Sequence, residues 1–471
     1  MPPKSKAIDD SPVIEEFEST PVPERAQKGA KAFWGMYAGE HAAGTEFMIG
    51  PLFLLAGVSL QHIFWGLLLG NFLAVLSWRF ICAPIATKAR LTLYCHLEKI
   101  AGKKLVKIYN LANGVLFCFL AGAMITVSAT AVGIPFNLEM PAFDAIYPNS
   151  ASFIMIVVAV GVVISAVAGF GYNAVSRFAN IAAPWMVLVF LGCGIVALKQ
   201  LGVDSWAGLN AIWTESISFA QGGEVTTSMG FLEVVLFAWF CNAAMHVGMS
   251  DLSVFRYAKK ASSGWATAGG MYVGHYMAWI AAALMLAAQI KLTQSAVPVP
   301  GPMAFNVVGI AGIICVVVAG WTTANPTIYR AGLAFQAMLP GTSRLSMTLL
   351  AGGVATVAAI FPAFAFKLLG FVGLYGTILA PMGAVIFADW YLSKRIGVTP
   401  FHAEASGCGV NKSVLFAWLL PVTVSLYFIF AQGVTTWYFV FPAWLACGVL
   451  FLVFSRLRGT PQSSVKKGEI V

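Results

Sequence analysis

The sequence predicts an all-α integral membrane protein with about twelve transmembrane helices, and three observations predict it. Of the 471 residues, 59% are hydrophobic and 10% charged, with a mean hydropathy of +0.82, whereas soluble domains run near 25% charged. Apolar runs with almost no charge recur from Phe33 to Phe454, each near the roughly 20 residues that a helix needs to cross about 30 Å of hydrocarbon. The Lys and Arg residues gather in alternate connections between those runs, the pattern of a multi-pass chain.

Taken in order, Gly, Pro, Asn and charge clusters cut the apolar runs into helices 1 to 12, near 33–58, 62–83, 106–133, 152–170, 178–200, 229–249, 264–290, 304–325, 346–366, 368–392, 413–431 and 435–456. The eighth run is expected to end at Asn325, because Pro326 removes a helix donor. With twelve spans, all but Lys199, Lys291 and Lys367 of the 28 Lys and Arg residues fall on one side. By the positive-inside rule both termini are then cytoplasmic. The loop from about 201 to 228 carries Asp204, Glu215 and Glu224 with no Lys or Arg, as an outward loop should. Gly35/Gly39, Gly66/Gly70 and Gly270/Gly274 have the spacing that lets helix backbones approach closely.

The expected organisation is a polar amino-terminal tail (1–31), a core of helices 1 to 10 (32–395), helices 11 and 12 (396–456) and a cytoplasmic carboxy-terminal tail (457–471). The tail's mixture of Lys4, Lys6, Arg25, Lys28 and Lys31 with acidic residues holds no apolar core before a small-residue cleavage site, so no cleavable signal peptide is expected. A formal charge of +9 does not point to nucleic acid, since the cations punctuate apolar runs instead of forming a basic face. Eight scattered cysteines lack metal or redox spacing and read as packing residues. HExxH, CxxC, GxSxG and Walker patterns are missing. The expectation is a carrier without enzymatic activity, driven by an ion gradient.

Several segments resemble the nucleobase:cation symporter-1 family, the permeases for cytosine, purines, hydantoins and related rings. Pro23, Glu24 and Arg25 stand in a PxPER setting before helix 1. GVSLQHIFWGLLLGN, Gly57 to Asn71, is similar to the family's first loop and second helix. Ser250, Asp251, Leu252 and Ser253, followed by Arg256 and Tyr257, resemble its Asp-x-Ser-Arg-Tyr motif, here interrupted by Val254 and Phe255. GWTTANPTIYRAGL, Gly320 to Leu333, resembles its eighth helix, and APMGAVIFADWYLSKR, Ala380 to Arg395, the end of its tenth. The resemblance implies a LeuT-like fold: two five-helix repeats of inverted topology plus two carboxy-terminal helices, in the cell (inner or plasma) membrane. It implies cation-coupled symport of a nucleobase or related heterocycle. A LeuT-like carrier for another small solute, such as an amino acid or vitamin precursor, is the alternative.

Unwound backbone at membrane depth is tolerated where it lines a cavity. GEHAAGTE (Gly39 to Glu46) in helix 1 and the stretch with Cys241, Asn242, His246 and Gly248 in helix 6 are the places for it. A flat heterocycle needs an aromatic platform and amide or hydroxyl partners at its edge. By position in the resemblance, Phe117 replaces a stacking Trp, and Ala121 falls where relatives carry Gln. Trp239 offers a second platform, Asn242 an edge reader, and Thr327 completes the substrate candidates. For Na⁺ coupling the resemblance implies a site on helix 8 from Ala319, Thr322 and Thr323 against carbonyls near His41 and Gly44. For H⁺ coupling the candidates are Glu46, His41 and His246, because ionisable side chains cost at least about 2.5 kcal/mol in a membrane helix and face protein or a wet cavity. Glu40 and Glu233 belong to the same intramembrane set. His62, His96, His275 and His402 are expected at helix ends or loops, as interfacial anchors. No cofactor is expected beyond a bound Na⁺ in the Na⁺-coupled case, and no metal besides it. The partners are a nucleobase-like solute, Na⁺ or H⁺ and the bilayer, with no nucleic acid and no obligate protein partner.

Overall fold

A computed structural model describes residues 17, 20–141, 145–339 and 341–458. The start of the amino-terminal tail with Lys4 and Lys6, and the end of the carboxy-terminal tail with Lys466 and Lys467, lie outside the described residues. Within them the chain is helical and carries no strand. Nine helices are long and apolar enough to span a membrane, and three shorter apolar helices, Glu46–Leu55, Phe231–Phe240 and Arg344–Ala359, supply the others. The protein is therefore a multi-pass membrane protein, and among the described residues the nine long helices with the three short ones are consistent with about twelve spans.

Two of the three short ones are halves of broken helices. Helix 1 consists of 1a (Lys31–His41) and 1b (Glu46–Leu55). Helix 6 consists of 6a (Phe231–Phe240), a run of turns, and the single turn Leu252–Phe255. The others are helix 2 (Leu60–Ser77, continued through Trp78–Cys82 and Ala83–Ala89), helix 3 (Lys103–Val132), helix 4 (Ala151–Gly169), helix 5 (Tyr172–Leu201) and helix 7 (Gly269–Tyr276 running into Met277–Thr293). Helix 8 (Ile310–Met338), helix 9 (Arg344–Ala359), helix 10 (Leu368–Tyr391), helix 11 (Lys412–Ala431) and helix 12 (Trp437–Leu457) follow.

Helices 1, 2, 6 and 7 pack on one another, helices 3, 4, 8 and 9 do the same, and helix 5 bridges helices 1, 7 and 8. Helix 10 packs against helix 12, and helix 12 against helix 11. Three corresponding pairs of the two five-helix repeats thus meet, helices 2 and 7, 3 and 8, and 4 and 9, and the first helix of each repeat is the broken one.

Without a hydrophobic force between helices in lipid, close approach depends on small residues. A Cβ built on Gly70 of helix 2 would lie 2.4 Å from the Val235 carbonyl oxygen of helix 6a. One built on Gly274 of helix 7 would lie 2.5 Å from the His41 carbonyl oxygen. Two of the three glycine pairs expected from spacing, Gly66/Gly70 and Gly270/Gly274, therefore sit at interfaces of the broken helices. Gly274→Val is expected to cost at least about 1–3 kcal/mol, because the obstacle is backbone that cannot rotate away. A thermal unfolding curve of the purified variant that superposes on wild type would refute this.

The structure corrects three sequence expectations. Helix 8 does not stop at Asn325 but runs through Pro326 to Met338, preceded by a separate helix, Pro300–Val308. Proline inside a membrane helix is tolerated where neighbouring groups serve the freed backbone; Pro326 removes the donor for the Thr322 carbonyl, and beside it the Thr327 hydroxyl donates to the Thr323 carbonyl at 2.7 Å. The stretch expected as an open loop near 201–228 contains the helix Trp206–Ala220, tied to helix 1b's end by Trp213 Nε1 donating to Val58 O at 2.8 Å. Arg330 and Arg256, taken as markers of a cytoplasmic loop, are 4% and 0% exposed inside the protein.

Candidate functional site

The breaks in helices 1 and 6 have different chemistry. Helix 1a ends at His41; Ala42 adopts φ −94°, ψ 71°, and helix 1b starts four residues later. The freed carbonyls of the last turn are only partly served: Ala38 O accepts from Ala42 N at 2.9 Å, and Glu40 O receives a long 3.4 Å bond from Thr323. In helix 6 the chain folds back on itself. Ser250 N donates to Ala244 O at 3.0 Å, Asp251 N to Met245 O at 3.1 Å, and Met249 is held at φ +68°, a conformation that costs a non-glycine residue roughly 1–3 kcal/mol. The carbonyls of helix 6a are answered by its own sequel: Phe237 O by Cys241 N at 2.8 Å, Phe240 O by Ala243 N at 2.9 Å, and Trp239 O by His246 Nε2, 2.9 Å away.

A cavity opens between the two breaks, walled by helices 1, 3, 6, 7, 8 and 10. Helix 7 gives it His275 and Trp279, whose rings stack with centroids 4.2 Å apart at 15°. The helix is wound more widely over Gly269–Tyr276, a feature often found at functional sites. His275 is not an interfacial anchor but buried, 4.8 Å from the His41 ring and 3.5 Å from the Asn242 amide nitrogen. Helix 10 contributes Phe371 and Tyr375, and the helix 6 break contributes Asn242. Tyr375 donates to Asn113 Oδ1 at 3.2 Å, and Asn113 donates to Tyr94 at 2.8 Å.

Of the residues singled out in the sequence, His41, Asn242 and Thr323 line this cavity. Phe117 is buried behind it, edge-on to Tyr375 with centroids 5.4 Å apart. Ala121 and Thr327 are buried outside the lining. Trp239 is also outside it: its Nε1 donates to Ser77 of helix 2 at 3.0 Å and its ring stacks on Phe240 and against Phe441. His246 reaches back to Trp239 O and packs on Trp78, centroids 4.7 Å apart. Glu46 is fully buried at the start of helix 1b, where the helix dipole favours a carboxylate. It accepts from Thr45 Oγ1 at 2.9 Å and from Trp279 Nε1, and lies 3.8 Å from His275 Nε2. Glu233 caps helix 6a, accepting from Gly230 N at 3.0 Å and from Tyr438. Thr322 donates to Ala319 O at 2.9 Å. Gly44 rests on Gly320, an added Cβ falling 3.0 Å from its Cα. The break in helix 1 and the helix 8 threonines are therefore neighbours.

Sequence reading missed a buried ionic cluster beside the cavity. Arg330 of helix 8 pairs with Glu40 of helix 1a, and its Nη2 lies 3.2 Å from Asp251 Oδ1. Tyr37 and Trp78 each donate to Asp251 Oδ2 at 2.7 Å. Two signals were available: Glu40, already in the intramembrane ionisable set, and Arg330, a cation four residues past a proline in an apolar run.

No protein-family model and no curated sequence matches the chain. Solved structures do. The nucleobase-cation-symport-1 family transporter Mhp1, in a closed conformation with bromovinylhydantoin bound, is 16% identical, with 94% of this chain and 96% of that one covered at a TM-score of 0.72. A Na⁺-coupled sialic acid symporter in a substrate-bound outward-open state is 14% identical, covering 94% and 92% at 0.60. A manganese transporter of Eremococcus coleocola is 11% identical, covering 94% and 98% at 0.55. At these identities the likeness establishes the fold, which is the LeuT-like one expected.

Proposed function

We propose that the chain is a cation-coupled symporter that carries a nucleobase or a similar small planar heterocycle by alternating access, in the cell membrane with both termini cytoplasmic. The observation that carries this reading is the cavity at the two helix breaks. It joins flat aromatic walls, the His275–Trp279 stack, Tyr375 and Phe371, to one amide, Asn242, and the His41 imidazole. Stacking is tolerant of ring type, whereas an amide offers a paired donor and acceptor to a ring edge. In this reading Phe117 supports Tyr375 from behind, and Ala121 leaves helix 3 without a polar contact at that position. For the cation, Thr323, which reaches Glu40 O at the helix 1 break, with Thr322 and the Ala319 carbonyl beside it on helix 8 and carbonyls near His41 and Gly44, would supply the oxygen ligands that Na⁺ prefers. Under H⁺ coupling, the candidate is Glu46, the buried carboxyl that accepts from Trp279 and lies 3.8 Å from His275 of the cavity wall. The solute emerges chemically unchanged.

Proteoliposomes given radiolabelled cytosine, uracil, hypoxanthine, allantoin and hydantoin, with Na⁺ and H⁺ gradients imposed separately, test the proposal. Accumulation of at least one ring above equilibrium under one gradient is expected. Uptake confined to an amino acid control would overturn the heterocycle assignment.

A further inference from the structure

The wall that helix 3 turns to the central cavity continues beyond it. Leu120 lines the cavity, and Asn113 lies seven residues earlier on the same helical face. That places it about 10 Å nearer the start of helix 3, the end of the protein shared, by alternation of the spans, with helix 1a. Asn113 is already in use. Tyr375 of the cavity wall donates to its Oδ1, its Nδ2 donates to Tyr94, and the Tyr94 hydroxyl donates to Arg330 O at 3.4 Å. A polar column thus leaves the cavity along helix 3.

Its next two members have no partner. Asn110 and Tyr109 are fully buried, and among the described residues nothing bonds either polar atom of the Asn110 amide or the Tyr109 hydroxyl. Burying such groups without a hydrogen bond costs stability, and native proteins keep few of them. Leucine has the same heavy-atom outline as asparagine and would avoid that cost. The amide is also placed among rings. Asn110, Gly114, Phe117 and Ala121, at spacings of four, three and four residues, form one stripe of helix 3. A Cβ on Gly114 would lie 2.4 Å from the Phe335 ring of helix 8, and Phe117 sits edge-on to Tyr375. An amide with a free donor and a free acceptor beside aromatic rings is the combination that the cavity itself offers through Asn242, Tyr375 and Phe371.

Resting on the symport reading above, we propose that Asn110 marks a second station for the transported solute, between the central cavity and the cytoplasm. A planar heterocycle leaving the cavity passes Asn113 and pairs its ring edge with the Asn110 amide, and Tyr109 adds a hydroxyl. The station is closed in this conformation. It opens when the protein faces the cytoplasm, and the unpartnered atoms are then served by solute or water.

Two measurements on the full chain test this. In the first, Asn110→Cys is treated with a membrane-impermeant maleimide from either face of membrane vesicles. The peptide that holds residue 110 is read by mass spectrometry, so the eight native cysteines do not interfere. Reaction from the cytoplasmic face is expected; reaction from the outer face alone, or from neither, overturns the proposal. In the second, Asn110→Leu should lower the maximal rate of uptake of the ring found by the uptake panel about fivefold or more, a loss of one amide contact to the solute. Its KM from the outside should stay within about twofold of wild type, because the central cavity is untouched. Its thermal midpoint should hold or rise, since two unpartnered polar atoms are removed. An unaltered maximal rate overturns the station. A lowered midpoint does so as well, because it shows an amide that serves the closed protein. If the wild type accumulates none of the rings, the symport reading falls, and the maleimide reaction alone then decides between a station open to the cytoplasm and a closed core.

Discussion

Trp279→Ala is expected to lower the stability of the detergent-solubilised protein by about 3–5 kcal/mol, the usual loss for a buried tryptophan, and, on the proposed function, to abolish measurable binding of the heterocycle. Trp279 is fully buried, backs the His275 ring that faces the cavity, and donates its Nε1 to Glu46. Trp279→Phe should separate the two contributions. It keeps a ring under His275 but leaves a buried carboxyl oxygen without its donor, worth about 1–3 kcal/mol. Trp239→Ala is the control on helix 6: its contacts run to Ser77 and Phe441, so affinity for the ring should stay within twofold of wild type. Calorimetric titration of the three variants with the ring identified by the uptake panel decides the matter. Unaltered affinity in Trp279→Ala would remove helix 7 from the site.

The twelve spans were legible because hydropathy over about 20 residues is a property of each segment alone. The breaks were legible too, as a polar Gly39 to Glu46 and a run from Cys241 to Gly248 inside apolar helices. What the sequence did not show is which face of a helix meets which neighbour. In a bilayer, lipid-facing and protein-facing positions are both apolar, so the difference between Trp239, held by helices 2 and 12, and Trp279, on the cavity wall, leaves no periodic trace. His275 was hidden by the same ambiguity. It sits where helix 7 widens its turn, and that widening shifts the face on which a side chain emerges. Arg330 was misread for a different reason: counting cations treats each one as a loop marker, and a cation paired in the interior is counted identically. Its partners, Glu40 and Asp251, lie 290 and 79 residues away in the chain, beyond the reach of local reasoning. Pro326 compounded this by signalling an end to a helix that in fact continues and carries Arg330 into the protein.

The Glu40–Arg330–Asp251 cluster gives the second large effect, on stability. Arg330→Met is expected to cost about 3–5 kcal/mol, because it leaves two carboxylates buried without a partner. The ties it cuts are also those that hold helix 1a and the end of helix 6 to helix 8. If the loss comes from uncompensated charge, neutralising the carboxylates should relieve it. The triple variant Glu40→Gln, Arg330→Met, Asp251→Asn contains no buried charge at this place, and Tyr37 and Trp78 can still donate to the amide oxygen at residue 251. Replacing a buried ion cluster by neutral groups of similar volume is often close to neutral in stability, so the triple variant should recover most of what Arg330→Met loses. If the loss comes instead from the packing of the arginine side chain, the triple variant will be no more stable than the single one. Thermal unfolding of the two variants beside wild type, in the same detergent and salt, separates these outcomes.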